Sequence, residues 1–225
     1  MIIVAWRGGI EAGRENSVEA IRESVKYAEI IEIDVRRTKD DILVLSHDRK
    51  INSYVIREHT YEQLLRVSEI ATLEEALEVI TKNNTAMLDV KDKRIENLVL
   101  SSIENFDRDK IVINSLQPDV LLSFRKADKN VKMSVGLSKN VKSVAYVDRL
   151  IKKIKPWCAT PHKANKRIMR YLAENYRRIK IIPWLIKERG ELSNLPKCHG
   201  IVTPYPRALR AALRNSGASC FKYKC

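Results

Sequence analysis

Short apolar runs alternate with amphipathic stretches along the whole chain. Residues 2–6 read as a buried strand. Across 17–28, Val18, Ile21, Val25 and Ala28 share one face at helical spacing. Residues 30–35 form a second apolar run, with a shorter one at 42–46. Residues 60–67 have helical spacing, and Thr72-Leu73-Glu74-Glu75 is a capping box opening a helix to about residue 82. Strands are predicted at 86–91, 110–115, 131–137, 157–160, 180–185 and 200–203. The helices between them cover 94–105, 118–126, a segment ending near 153, and 166–176, with a last one at 206–215. Pro118 and Pro206 suit first-turn positions. Leaving aside 42–46, eight strands alternate mostly with helices, the pattern of a parallel sheet. Eight βα units in 225 residues predict a closed (β/α)8 barrel, an α/β fold forming one domain over 1–225. An open doubly wound sheet is the alternative, and the eighth unit disfavours it.

In such a barrel the chemistry sits at the C-terminal ends of the strands. Strand one ends in Trp6-Arg7-Gly8-Gly9, strand two carries Glu32 and Asp34, and the run at 42–46 leads into His47-Asp48. Asp89 and Lys91 end the third strand, Asn114 and Ser115 the fourth, and Trp184 lies on the seventh. Glu32 and Asp34 are two apart on a strand, so both point the same way, into the barrel. Two carboxylates there, with Asp89 as a third, repel one another and lose hydration unless a cation balances them. Three oxygen donors suit one divalent cation, Mg²⁺ or Ca²⁺. Ion pairs with Arg7, Lys91 or Arg36 are the alternative. Beside such a cluster His47 is a candidate to move a proton in acid/base chemistry. Arg7 and Lys91 suit an anion such as phosphate. Trp184 either walls a pocket or belongs to the core.

Charge changes the picture more than composition does. The chain is 44% hydrophobic and 31% charged, a globular composition. Residues 1–110 hold 17 Lys and Arg against 22 Asp and Glu, whereas 111–225 hold 25 against 6. The whole carries +14. The basic half suggests an anionic partner, with peripheral contact at an anionic membrane surface one form of it; a basic surface with no specific partner is the alternative. Nucleic acid fits less well, because Trp157, Tyr171 and Tyr176 are too scattered to form a stacking platform. No apolar run reaches the ~18 residues of a membrane span, and the first residues lack a charged leader, so a cytoplasmic location is expected. Cys158, Cys198, Cys220 and Cys225 contain no C-x-x-C pair and read as free thiols. A Cys220–Cys225 bridge is the alternative.

Several motifs occur in a telling order: Arg7-Gly8-Gly9, Glu15-Asn16-Ser17, the run from Glu32-Ile33-Asp34-Val35 to Thr38-Lys39-Asp40, and Ser46-His47-Asp48. Leu88-Asp89-Val90-Lys91 and Gly200-Ile201-Val202-Thr203-Pro204-Tyr205-Pro206 follow. Together they resemble the glycerophosphodiester phosphodiesterase family. The resemblance implies a TIM barrel that hydrolyses a phosphodiester small molecule, a glycerophosphodiester or lipid-derived diester, with one divalent cation. It implies Glu32, Asp34 and Asp89 as metal ligands, although the family usually has Glu at the third place. Arg7 and Lys91 would bind phosphate oxygens, with Arg7 also catalytic, and His47 would be one of two acid/base histidines. The chain departs from the family at Trp6, which stands where the first histidine would be, and at Pro204, in place of Asp. Indole can fill space, stack on a substrate or donate one hydrogen bond, but it is no base. His59, His162 and His199 are not placed to substitute. Two other functions follow from these departures and from the charge. One is a degenerate member that binds metal or anion with little turnover. The other is a basic protein that binds anionic lipid or nucleic acid.

Overall fold

The computed structural model describes residues 1–214. Strand β1 (Ile2–Ala5) and helix α1 (Val18–Ser24) precede β2 (Ile30–Arg37) and β3 (Leu43–Leu45). A hairpin of β4 (Lys50–Ile51) and β5 (Tyr54–Val55) then leads to helices α2 (Tyr61–Leu65) and α3 (Leu73–Ile80). Strand and helix alternate from there: β6 (Thr85–Val90), α4 (Glu96–Ser102), β7 (Ile111–Ser115), α5 (Pro118–Ala127), β8 (Met133–Leu137) and α6 (Val144–Ile154). The chain continues through β9 (Cys158–Pro161), α7 (Lys166–Asn175), β10 (Lys180–Ile181), β11 (Gly200–Thr203) and α8 (Pro206–Arg214). Parallel strands lie in the order β10-β9-β8-β7-β6-β2-β1-β11. Val202 N–H donates to Pro183 C=O at 2.8 Å and Ile186 N–H to Val202 C=O at 3.0 Å, drawing the two ends of the sheet together. This is the (β/α)8 barrel that the alternation predicts. Strand β10 is shorter than the expected 180–185, because Pro183 has no N–H to donate to a ladder.

Alternate residues of each strand enter two separate cores. Val4, Ile30, Met87, Val112, Ile182 and Val202 pack inside the barrel. Ile3, Ile31, Ile33, Val35 and Leu88 face outward under the helices. The parity of Ile30 therefore carries Glu32 and Asp34 into the interior, and that of Met87 carries Asp89 there. The Thr72 capping box forms as read: its hydroxyl accepts from Glu75 N–H, and Glu75 accepts from Thr72 N–H at 2.8 Å. A second box, Thr60 with Gln63, opens α2.

The excursion between β2 and α3 has its own small core of Val44, Ile56, Leu64 and Ile70. Its two-residue strands β4 and β5 are too short for a periodicity to reveal. Among the described cysteines, Cys158 and Cys198 are free thiols, as expected. Cys220 and Cys225 lie outside the described residues. No helix among the described residues is long and apolar enough to cross a membrane.

The turn after β1 depends on glycine. Gly9 has φ 81° and ψ 161°, a region open essentially to glycine alone. A Cβ there would also meet Ser24 Oγ at 2.2 Å. Gly9→Ala is expected to destabilise the fold by roughly 1–3 kcal/mol, read as a lower urea midpoint at unchanged slope. An unchanged midpoint would show that the turn relaxes without cost.

Candidate active site

Asp34 and Asp89 are register partners on adjacent strands, and Glu32 lies one interior step below Asp34. All three are buried, with 4%, 1% and 7% of their surface exposed for Glu32, Asp34 and Asp89. Each offers a carboxylate oxygen within 4.8 Å of the others. Burial, reinforced by Asp34 and Asp89, pushes the Glu32 carboxyl well above its usual range. Burial also raises Asp89, against the pull of Lys91. Lys91 Nζ bridges the cluster, 2.7 Å from Asp34 Oδ1 and paired with Asp89 Oδ2. Burial works against the Lys91 charge, but Asp89, Asp34 and Glu32 outweigh it and raise its pKa. Three hard oxygen donors converging in this way fit a divalent cation. The ion-pair alternative is partly realised too, through Lys91 and Arg7. Arg36 is not part of it: its guanidinium donates to Asp92 at 2.8 Å and to His47 C=O at 2.7 Å.

Arg7 leaves β1 in a left-handed conformation, φ 52°. Its N–H donates to Glu32 Oε2 at 2.8 Å, and Nη1 donates to both Glu15 oxygens at 2.8 and 2.9 Å. Nε lies 3.3 Å from Asp34 Oδ2 but off the hydrogen-bond line. The guanidinium carbon stacks 4.2 Å from the centroid of the Trp6 ring. Trp6 and Glu15 thus clamp Arg7 from two sides. Asn16 closes the arrangement: it donates to Asp34 Oδ2 at 2.8 Å and accepts from Asp34 N–H at 3.0 Å. In the motif Glu15-Asn16-Ser17, then, the first two residues orient the charged groups and Ser17 caps α1, accepting from Ala20 N–H at 3.2 Å.

The excursion after β2 delivers His47. Strand β3 runs antiparallel to β2, and Ser46 N–H donates to Asp34 C=O at 3.0 Å. Thr38 and Asp40 build the turn between them, with Thr38 Oγ1 accepting from Ile42 N–H at 3.0 Å and donating to Asp40 at 2.6 Å. The Arg36 bonds to His47 C=O then hold the loop over the barrel mouth. The His47 ring is half-exposed, and Nδ1 lies 2.8 Å from Asp48 Oδ1.

Trp6, Arg7, Glu32, His47, Asp89, Lys91 and Trp184 all line one cavity of about 110 Å³. Asp34 sits directly behind them, between Arg7 and Lys91. Trp184 is therefore a pocket wall. His162 packs edge-on behind it, ring centroids 4.9 Å apart, and does not line the cavity. His199 lies at the other end of the barrel, where Nδ1 accepts from Ile181 N–H at 3.0 Å. Two lining residues carry roles that the sequence did not suggest. Asn114 donates to Asp89 Oδ1 at 3.0 Å and accepts from Thr160 Oγ1 at 3.3 Å, a relay that fixes the Asp89 carboxylate. Polar residues at inward positions of β7 and β9 were the available signal.

The comparisons with known proteins agree with this geometry. The model of the glycerophosphoryl diester phosphodiesterase family matches residues 7–186. A glycerophosphodiester phosphodiesterase of Bacillus altitudinis is 29% identical over 159 residues, a stretch spanning 59% of this chain and 65% of that relative. The crystal structure of a glycerophosphodiester phosphodiesterase from Thermotoga maritima superposes with a TM-score of 0.81 at 19% identity, covering 94% of this chain and 98% of that one. An Oleispira antarctica phosphodiesterase in complex with the product sn-glycerol-3-phosphate does so at 0.81 and 17% identity, covering 95% and 97%. At those identities the two structures establish the fold. The family match over most of the barrel, with the acidic cluster, Arg7 and His47 at one mouth, places the chain in the glycerophosphoryl diester phosphodiesterase family.

Proposed function

We propose that the protein is a phosphoric diester hydrolase acting on a glycerophosphodiester or a related lipid-derived diester, dependent on one divalent cation, Mg²⁺ or Ca²⁺. The observation that carries this reading is the convergence of Glu32, Asp34 and Asp89 beside Arg7, Lys91 and His47 in a single cavity. Glu32, Asp34 and Asp89 would hold the cation, which when bound neutralises phosphoryl charge and favours attack at phosphorus. Arg7 and Lys91 bind the phosphoryl oxygens. The clamp on Arg7 fixes the direction of its remaining donors, so little ordering is lost when the anion arrives. With the Nδ1 proton donated to Asp48, His47 keeps Nε2 for proton transfer. Hydrolysis moves one proton off the attacking water and one onto the leaving alkoxide. Trp6 and Trp184 wall the pocket and contact the substrate's organic part.

With Trp6 in place, His47 is the one imidazole that lines the cavity among the described residues. Glu15 does not fill the gap, because both its oxygens are committed to Arg7. This favours a second reading, a member that binds its ligand with little turnover. Turnover of glycerophosphocholine should be about 10² to 10⁴-fold below that of a two-histidine site. Trp6→His should raise it, and His47→Ala should abolish what remains. Wild-type turnover at the two-histidine level would show that another group carries the second proton. No turnover in either the wild type or Trp6→His would leave the binding reading.

Adding Mg²⁺ or Ca²⁺ to chelated protein should raise Tm by mass action, and Asp34→Asn should blunt the rise. No shift with any divalent cation would leave the carboxylates balanced by Lys91 and Arg7 alone.

The cluster also fixes a pH dependence. In metal-free protein the Glu32 and Asp89 pKa values are raised, so in their titration window the folded state binds more protons than the unfolded one. Their contribution to stability should therefore fall as pH rises from about 4 through that raised range. In metal-free protein Glu32→Gln should flatten this fall, because the variant has no carboxyl to titrate there. Parallel pH profiles for the two proteins without metal would contradict the raised values.

A further inference from the structure

We propose that the protein docks on an acidic membrane surface through the mouth face of the barrel, using a basic rim built by the β8–α6 and β9–α7 connections. This rests on reading the pocket as a site for a lipid-derived diester, and it names the surface from which that substrate is taken.

Residues 138–170 hold ten Lys and Arg and a single acidic residue, Asp148. Helices that follow barrel strands start on the mouth face, so the first turns of α6 and α7 lie beside the pocket. Between them runs an open groove of about 790 Å³, lined by Lys142, Arg149 and Arg167 together with Asp148 and Tyr171. Asp148 does not neutralise these cations. Its carboxylate accepts from the Tyr171 and Tyr176 hydroxyls and pairs with Lys152 at 2.8 Å. Lys142, Arg149 and Arg167 are exposed and make no ion pair among the described residues.

The rim reaches the pocket wall. His162 packs against Trp184, and burial, helped by the charges of Lys139 and Lys142, lowers its pKa; Lys163, which follows it, is paired with Glu191 at 2.6 Å. The same mouth carries exposed apolar groups. Leu116, 43% exposed, lines the cavity against Gly136 of β8, on the rim's side of the mouth, whereas Ile10, 37% exposed, lies across the mouth in the loop after β1. Cations beside exposed aliphatic side chains form an interfacial surface: the charges meet acidic headgroups and the aliphatic groups enter the acyl boundary. Nucleic acid would call instead for free aromatic faces among the cations. The groove's own Tyr171 is tied down by its hydroxyl and by its edge contact with Tyr176.

The test is co-sedimentation of the full chain with two kinds of vesicle, phosphatidylcholine alone and phosphatidylcholine with one-quarter phosphatidylserine. Wild type should bind the acidic vesicles, release as salt rises, and ignore the neutral ones. Each basic residue near the surface is worth roughly fivefold in partitioning. The triple variant Lys142→Gln/Arg149→Gln/Arg167→Gln should therefore lose on the order of 100-fold, with hydrolysis of soluble glycerophosphocholine unchanged. A control triple on the opposite end of the barrel, Lys155→Gln/Arg177→Gln/Arg178→Gln, removes the same charge and should lose far less. Equal losses in the two triples, equal binding to neutral vesicles, or tighter binding to single-stranded DNA than to acidic vesicles would each overturn the proposal. A wild type that binds acidic vesicles but hydrolyses no diester would instead count against the proposed activity and leave the docking surface standing.

Discussion

Three carboxylates held within 4.8 Å of one another inside an apolar barrel are the constraint on which the rest of the site depends. Alternation along β2 and β6 leaves no other place for Glu32, Asp34 and Asp89 once Ile31, Ile33 and Leu88 go under the helices. Their mutual repulsion and lost hydration must be met locally. Lys91, two residues beyond Asp89 on the same inward face, meets part of it. Arg7 meets another part from the neighbouring strand. Under the proposed function both cations are then already held in place for a phosphate, so the same groups would meet the demands of folding and of binding.

The Arg7 clamp shows how one change alters such a site. An imidazole at position 6 would add a proton carrier, whereas the indole adds a stacking surface for the guanidinium. A cation over an indole face is attracted to it electrostatically. The indole therefore holds Arg7 in place but offers no group that can accept a proton. That balance is why the proposed hydrolase should turn over slowly with its acidic cluster intact.

Much of this was legible in the residues. Hydrophobic alternation located the eight barrel strands, and period-two spacing correctly sent Glu32 and Asp34 inward. What the pattern missed has physical reasons. Pro183 ended β10 early by removing a donor. The β4–β5 hairpin is too short to show a period. Glu15, Asn16 and Asn114 act through tertiary hydrogen bonds to Arg7, Asp34 and Asp89, which no local spacing encodes. Thr38 and Asp40, prominent in the motif after β2, build a turn and do not line the cavity.

The most direct measurement is a crystal structure of the protein grown with Mn²⁺ as an anomalous stand-in for the proposed cation. The account predicts one anomalous peak within bonding distance of Glu32, Asp34 and Asp89, with the Lys91 ammonium drawn away from at least one of its two aspartates. Mn²⁺ bound elsewhere, with Lys91 still bridging Asp34 and Asp89, would contradict it.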